Sequence, residues 1–87
     1  MIVTLTNGNR AKVETTPVYP IDLVHGMANA AKHGYTAVFA GYDGKYYQVD
    51  SIDENAWCSD YHIVCGDVEW LIDADRPSMR YGKLIKS

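Results

Sequence analysis

Apolar and polar residues alternate along much of the chain, and turn residues divide the alternating runs into strand-sized pieces. Residues 2–6 and 11–15 alternate on either side of the turn-forming residues 7–9, Asn-Gly-Asn, which predicts a β-hairpin. A three-residue loop would set Val3 opposite Val13 and collect the apolar side chains on one face. A two-residue turn would mix apolar and charged side chains on that face, so we expect the three-residue loop.

The segment from Pro20 to His33 is the one part of the chain with a helical pattern. Proline is tolerated in the first turn of a helix, Asp22 complements the positive end of the helix dipole, and Gly34 is a typical terminator. Apolar residues recur at spacings of three and four, which predicts a face that packs on a sheet. That face comprises Leu23, Val24, Met27, Ala30 and Ala31.

A second hairpin is predicted around Asp43-Gly44, between strands at residues 35–42 and 45–52. A two-residue turn at this dipeptide would set Val38 opposite Val49 and Ala40 opposite Tyr47. Ala37 and Phe39 would then lie on the other face. Both faces of this hairpin are therefore apolar, which is unusual for a sheet with one face in water.

A last hairpin is predicted around Gly66-Asp67, after an irregular loop that opens at residue 53. A two-residue turn divides its side chains into a core face and an opposite face. The core face comprises Tyr61, Ile63, Cys65, Val68, Trp70 and Ile72, and the opposite face comprises His62, Val64, Glu69 and Leu71. We expect residues 1–76 to form a single domain and residues 77–87 to be a basic C-terminal extension or an edge strand.

The order of two strands, a helix, two strands, a loop and a further strand resembles that of the ubiquitin-like β-grasp family. Three segments carry the resemblance: Met-Ile-Val-Thr-Leu-Thr at residues 1–6, Val-Phe-Ala-Gly at 38–41 and Ser-Asp-Tyr-His-Ile at 59–63. It covers about residues 1–72 and implies an α+β fold, with a mixed sheet and one helix packed on one of its faces. It also implies that the strand at residues 68–72 lies beside the third strand.

The resemblance implies a protein-binding module rather than a conjugated modifier, because the chain has no diglycine at its C-terminus. If the third and last strands are neighbours, an apolar patch would lie on the open face of the sheet, where exposed apolar area generally marks a binding surface. The alternative is that the segment after Pro77 folds back and covers it. The predicted partner-binding residues are Val38, Ala40, Tyr42, Tyr47, Val49 and Leu71.

Charge is divided unevenly along the 87 residues, whose net charge is −3. Residues 43–75 hold nine acidic side chains against Lys45 alone, a net −8, while the rest of the chain carries +5. Such a surface disfavours direct nucleic-acid binding but fits a partner protein with a basic surface. A second hypothesis is a small acidic inhibitor, of the kind encoded by phages, that mimics nucleic acid and blocks a nucleic-acid-handling enzyme. Its predicted contact residues are Asp50, Asp53, Glu54 and Asp60.

Catalytic and metal motifs are not predicted. Cys58, His62 and Cys65 are spaced C-x3-H-x2-C, which matches no common structural zinc pattern, and a Cys58–Cys65 disulfide would need an oxidising compartment. We find no glycine-rich phosphate loop and no nucleophile motif. The sequence therefore predicts a non-enzymatic protein without metal or cofactor. It shows no signal peptide and no apolar run long enough for a membrane span, so we expect a cytoplasmic location and no membrane contact.

Overall fold

The structure is a computed structural model that describes residues 1–54 and 60–85. It has a mixed α+β architecture in which one helix packs on a curled antiparallel sheet and a second, smaller sheet completes the core. The elements are β1 (Ile2–Thr4), β2 (Arg10–Val13), α1 (Pro20–Lys32), β3 (Tyr35–Ala40), β4 (Tyr46–Gln48), β5 (Ser51–Glu54), β6 (Asp60–Cys65), β7 (Val68–Asp73) and β8 (Met79–Ile85).

The larger sheet has the order β1-β2-β8-β3-β4, and every pair of neighbouring strands is antiparallel. It curls until its two edges approach each other, so that the N–H of Thr6, just after β1, donates to the carbonyl of Tyr46 in β4 at 3.0 Å. The Asn7 and Asn9 side-chain amides both donate to Gln48 Oε1, at 2.9 and 3.1 Å. These bonds bring the first hairpin against β4.

The predicted strand at residues 45–52 is divided between the two sheets, because the chain leaves β4 at residue 49 and enters β5 at residue 51. Adjacent residues mark the crossing. Val49 N–H donates to the Ala37 carbonyl in the larger sheet, and Asp50 N–H donates to the Val64 carbonyl in the smaller one. The smaller sheet has the order β5-β6-β7 and is also antiparallel.

Two hydrophobic clusters explain why both faces of the second hairpin are apolar. One face of β3 contributes Ala37 and Phe39 to the main core, which packs between α1, the larger sheet and the inner face of the smaller sheet. The other face contributes Val38 to a second cluster with Leu5, Ala11 and Val13, inside the curl of the sheet. Both faces of β3 are therefore buried.

The helix begins and ends as predicted, at Pro20 and Lys32 with His33 as the C-cap. Tyr19 N–H donates to the Asp22 carboxylate at 3.3 Å, and Gly34 has the positive φ, +84°, that ends the helix. The predicted packing face is only partly correct. Leu23 is buried and Met27 and Ala30 are half-buried, but Val24 is 42% exposed and Ala31 is exposed. Gly26 faces inward instead. The Tyr81 hydroxyl lies too close to leave room for a Cβ at residue 26.

Two predicted hairpin registers are wrong, with different consequences. In the first hairpin Val3 lies opposite Ala11, not Val13. That shift of two residues leaves the apolar face intact. In the second hairpin the loop has three residues rather than two, and Gly41 N–H donates to the Lys45 carbonyl. Val38 lies opposite Gln48, and this shift of one residue moves Tyr47 to the opposite face of the sheet from Val38.

The predicted register of the third hairpin is confirmed. Cys65 lies opposite Val68 across the two-residue turn. The predicted core face is the face that packs inward, although Val68 at its end is exposed. The opposite face carries the residues predicted for it.

The segment after Pro77 differs most from expectation, because β8 is an interior strand of the larger sheet, between β2 and β3, and not an edge or an extension. The long side chains of Arg80 and Lys83 reach out of the sheet, while Met79 and Gly82 are buried within it. The strand at residues 68–72, expected beside β3, lies in the smaller sheet. The β-grasp topology is therefore not confirmed.

Candidate partner-binding surface

The predicted apolar patch does not form, because three of its members are core residues. Val38 is fully buried inside the curl of the larger sheet, and Tyr47 and Val49 are buried in the main core. They face opposite sides of the sheet, so no partner could contact them together. The segment after Pro77 does not cover a patch either, since it pairs with the edge of β3 rather than lying on its face.

Ala40 and Tyr42 remain at the surface, at the end of the second hairpin. Tyr42 is 66% exposed, yet its ring packs against Phe39 at a centroid distance of 5.8 Å and against Trp70 at 5.5 Å. The loop is held by the Tyr47 hydroxyl, which donates to the Asp43 carboxylate at 2.5 Å. That hydrogen bond is the main cause that lowers the pKa of Asp43 below its usual range and raises the pKa of Tyr47.

The outer face of the smaller sheet collects most of the remaining predicted residues. We use "outer face" for the side chains of the smaller sheet that point away from the core. The strand register shows which of these side chains lie next to one another across the three strands. Asp53, His62 and Leu71 lie side by side across β5, β6 and β7, and Asp60 lies opposite Asp73 in the next row. Because side chains alternate along a strand, Val64 and Glu69 share the same face. The outer face thus comprises Ser51, Asp53, Asp60, His62, Val64, Glu69, Leu71 and Asp73.

Four carboxylates share this face with one exposed apolar side chain. Leu71 is 60% exposed, and the carboxylates are those of Asp53, Asp60, Glu69 and Asp73. Asp60 and Asp73 are directly opposite each other, an arrangement that is locally unfavourable for like charges. Neutralisation within the described chain is slight: Arg76 Nε lies 4.0 Å from the Asp73 carboxylate, and His62 Nε2 lies 3.7 Å from that of Glu69.

Two of the acidic residues predicted from the sequence do not belong to the outer face. Asp50 lies at the crossing between the sheets, where its carboxylate accepts a hydrogen bond from the Gly66 N–H at 2.7 Å and so supports the turn of the third hairpin. Glu54 lies opposite Tyr61, on the inward alternation of β5, although it is exposed at the end of the strand. Asp50 therefore has a structural role, and Glu54 borders the outer face.

The sequence interpretation missed Glu69, Asp73 and His62 as members of this surface. The signal was present, because Glu69 and His62 were already assigned to the side opposite the core. What was missing was the pairing of β5 with β6, which brings Asp53 beside them. The sequence pattern predicts one strand over residues 45–52, which leaves Asp53 in a loop.

A shallow hollow of about 310 Å³ lies at the edge of this surface. Its lining includes Trp70 from the inner face of β7 together with His62, Glu69 and Leu71 from the outer face. The hollow therefore lies over β7 and the neighbouring strand β6, beside the side chain of Leu71.

Basic side chains gather on a different surface, the outer side of β1, β2 and β8. Lys12 lies opposite Lys83, and Arg10 lies opposite Ile85. The Lys83 ammonium is 5.9 Å from the centre of the Tyr35 ring. Within residues 1–54 and 60–85, none of these three cations forms an ion pair. This basic surface and the acidic outer face of the smaller sheet thus belong to different sheets.

The cysteine and histidine cluster considered for metal is only partly described, since Cys58 lies outside the described residues. His62 and Cys65 point to opposite faces of β6. Burial raises the pKa of the Cys65 thiol to about 11, so the thiol is held protonated at neutral pH. In the described part of the chain, no group of three His, Cys, Asp or Glu side chains is arranged to hold a metal ion.

Comparison of the chain with protein-family models, with curated proteins and with solved structures finds no match. Over the residues that the structure describes, no helix is long and apolar enough to cross a membrane.

Proposed function

We propose that this chain is a non-enzymatic protein-interaction module that binds the basic surface of a partner protein through the outer face of the smaller sheet. The observation that carries the proposal is the set of four carboxylates that share one sheet face with the exposed side chain of Leu71. Exposed apolar area with a charged rim is typical of binding surfaces. Complementary charge on a partner would steer the encounter and fix the orientation of the complex.

The ubiquitin-like resemblance suggests the same kind of role, and it stays a prediction. Its open apolar patch is not part of the proposal, because Val38, Tyr47 and Val49 are buried. Of the predicted partner-binding residues, Asp53, Asp60 and Leu71 carry the present proposal, with Glu54 at the border and Glu69 and Asp73 added.

A second candidate function, an acidic inhibitor that mimics nucleic acid, is favoured by one specific observation. Asp60 and Asp73 lie directly opposite each other across β6 and β7. Adjacent strands are about 4.8 Å apart, so the two carboxylates form a closely spaced pair of negative charges. A nucleic-acid-binding cleft lined by Lys and Arg would bind such pairs, and its affinity would fall steeply with added salt.

The test compares two pairs of charge-neutralised variants as baits in a lysate of the source cells. The first, Asp53→Asn with Glu69→Gln, neutralises two exposed carboxylates of the outer face. The matched control, Glu14→Gln with Asp67→Asn, neutralises two exposed carboxylates elsewhere. We expect a partner that the wild type and the control pair retain and the first pair loses. Equal capture by all three proteins would refute the proposed surface.

Leu71→Ala separates the two candidate functions. A protein-interaction module should lose at least about tenfold in affinity for the captured partner, because an exposed anchor at the centre of the interface is removed. A nucleic-acid mimic should change little with Leu71→Ala. It should instead lose most of its affinity between about 50 and 300 mM salt, and nucleic acid should displace it from the partner.

A further inference from the structure

One edge of the smaller sheet has unpaired backbone groups. In an antiparallel ladder, alternate residues direct their N–H and C=O groups to alternate sides of the strand. The carbonyl of Val64 accepts from Asp50 N–H at 2.7 Å, so the backbone groups of Val64 point toward β5. Glu69, the residue opposite Val64 on β7, must then point its own backbone groups away from β6.

The same alternation applies two residues further along, so Leu71 and Asp73 also direct their backbone groups outward. Within residues 1–54 and 60–85, β7 pairs with β6 alone, and of these outward groups only the Asp73 carbonyl is used, by Arg76 N–H at 3.4 Å.

Natural proteins usually protect such an edge with a very short strand, proline, a bulge or charged side chains, lysine above all. The six residues of β7 contain no proline and no lysine, and they pair with β6 in an unbroken register without a bulge. The larger sheet differs, since its two edges approach each other and share the Thr6–Tyr46 bond. The edge of β7 is therefore a full-length, regular template for another strand.

The side chains on this edge indicate what such a strand would be. Glu69, Leu71 and Asp73 present acid, apolar and acid in turn on the outer face, which complements a strand with base, apolar and base at alternate positions. A second copy of this chain paired about Leu71 does not fit. Antiparallel self-pairing centred on Leu71 would set Glu69 of each copy opposite Asp73 of the other.

We propose that the edge of β7 binds an extended basic segment of the partner protein, which adds to the smaller sheet as a fourth strand. This inference rests on the proposed function, because it names the partner's chemistry and binding mode at the same surface. Backbone hydrogen bonds to Glu69 and Leu71 supply the pairing, and lysine or arginine side chains at alternate positions meet the carboxylates.

The experiment uses the full chain and a five-residue peptide with lysine at positions 1 and 5, leucine at 3, and valine and threonine at 2 and 4. In the expected pairing the peptide leucine lies opposite Leu71. The N–H of the peptide leucine therefore points toward the edge of β7, and the N–H of the peptide valine points away from β7. A peptide N-methylated at the leucine nitrogen should bind at least about tenfold more weakly. A peptide N-methylated at the valine nitrogen should bind within about twofold of the parent.

Leu71→Pro makes the complementary change in the protein. The substitution removes an outward backbone N–H that makes no hydrogen bond to β6, and an edge strand tolerates proline at such a position. Leu71→Ala is the control, because it retains the N–H. The proline variant should lose the peptide, and the alanine variant should retain measurable binding. In the wild type, saturating peptide should slow amide hydrogen exchange at Glu69 and Leu71 at least about tenfold. Unchanged ¹H–¹⁵N spectra outside residue 71 and its neighbours would show that the proline variant is folded.

Three outcomes would overturn the inference. One is the absence of binding at 10 mM peptide. Another is equal binding of the two N-methylated peptides, which would leave the outer face as the docking surface without strand addition. The third is a concentration-dependent dimer in sedimentation that Leu71→Pro abolishes, which would identify a second copy as the occupant. None of the three depends on the bait comparison, so a failure here is distinguishable from failure of the proposed function.

Discussion

Gly82→Ala tests whether β8 lies in the interior of the larger sheet. A Cβ at this position would lie 2.8 Å from Cγ2 of Val38, closer than real side chains approach. Val38 is fully buried and has little room to move. Inserting a methyl group into a packed core costs about 1–3 kcal/mol, and the strand preference of alanine over glycine returns roughly 0.5–1 kcal/mol. We therefore expect a net loss of about 1–2 kcal/mol.

A double-mutant cycle with Val38→Ala isolates this contact. Val38→Ala alone removes two buried methyl groups and should cost about 2 kcal/mol. In the double variant the methyl group of the new alanine fills part of the space left by Val38. The two losses should then fall short of additivity by about 1 kcal/mol or more.

Val13→Ala provides a matched control for the cycle. Val13 is equally buried on the same face, but its Cγ2 lies 3.6 Å from the added Cβ, an ordinary contact. Its coupling to Gly82→Ala should stay within about 0.5 kcal/mol. The assay is urea unfolding followed by circular dichroism, in which a slope of about 1 kcal/mol/M converts these losses into midpoint shifts of about 1–2 M. A neutral Gly82→Ala, or full additivity with Val38→Ala, would refute the packing described here.

Two further predictions concern stability. Arg80 donates to the backbone carbonyls of Glu14 and Thr15, so Arg80→Ala should lower the free energy of unfolding by about 1–2 kcal/mol. The control is Arg76→Ala, which loses only an exposed 4.0 Å ion pair. In the same urea assay its effect should stay within about 0.5 kcal/mol. The raised pKa of Cys65, from 9.0 to about 11, means that the folded state holds this proton more tightly than the unfolded state, so stability is lost as pH rises from about 9 through 11. The loss should reach about 1 kcal/mol at pH 10. The difference between the urea midpoints at pH 8 and pH 10 should be smaller in Cys65→Ala than in the wild type, and the remainder comes from Tyr47 and Tyr61, whose pKa values are also raised in the folded state. Equal sensitivity of the wild type and Cys65→Ala to alkali would contradict this origin.

Local signals predicted the elements whose geometry depends on neighbours in sequence. The helix bounds followed from Pro20 and Gly34, and the third hairpin followed from a two-residue turn between runs that alternate without ambiguity. In that hairpin a slip of one residue would put Ile72 on the opposite face from Tyr61 and Ile63, so pattern and packing agree.

The second hairpin could not be predicted in the same way, because both of its faces are buried. When Val38 and Phe39 are each in a core, alternation cannot distinguish two registers that differ by one residue. The turn decided the register, and the Asp43 side chain favours the longer loop by accepting hydrogen bonds from Lys45 N–H and the Tyr47 hydroxyl.

The place of β8 depends on contacts far apart in sequence. Its basic residues suggested a solvated tail, but long side chains such as Arg80 reach the surface from an interior strand. Gly82 was the available signal: it allows the close approach of Val38. The candidate site depends on the same contacts. The ubiquitin-like resemblance implies that the strand at residues 68–72 lies beside β3, the place that β8 occupies, and it therefore groups Leu71 with residues that are buried.

The central claim is that the outer face of the smaller sheet is the partner-binding surface, and an NMR interface map tests it most directly. The partner captured by the wild-type bait would be titrated into ¹⁵N-labelled protein, and amide shift changes would be followed residue by residue. We predict that the largest changes fall on Asp53, His62 and Leu71 and their neighbours on β5, β6 and β7. Changes centred instead on Arg10, Lys12 and Lys83, across β2 and β8, would contradict the account.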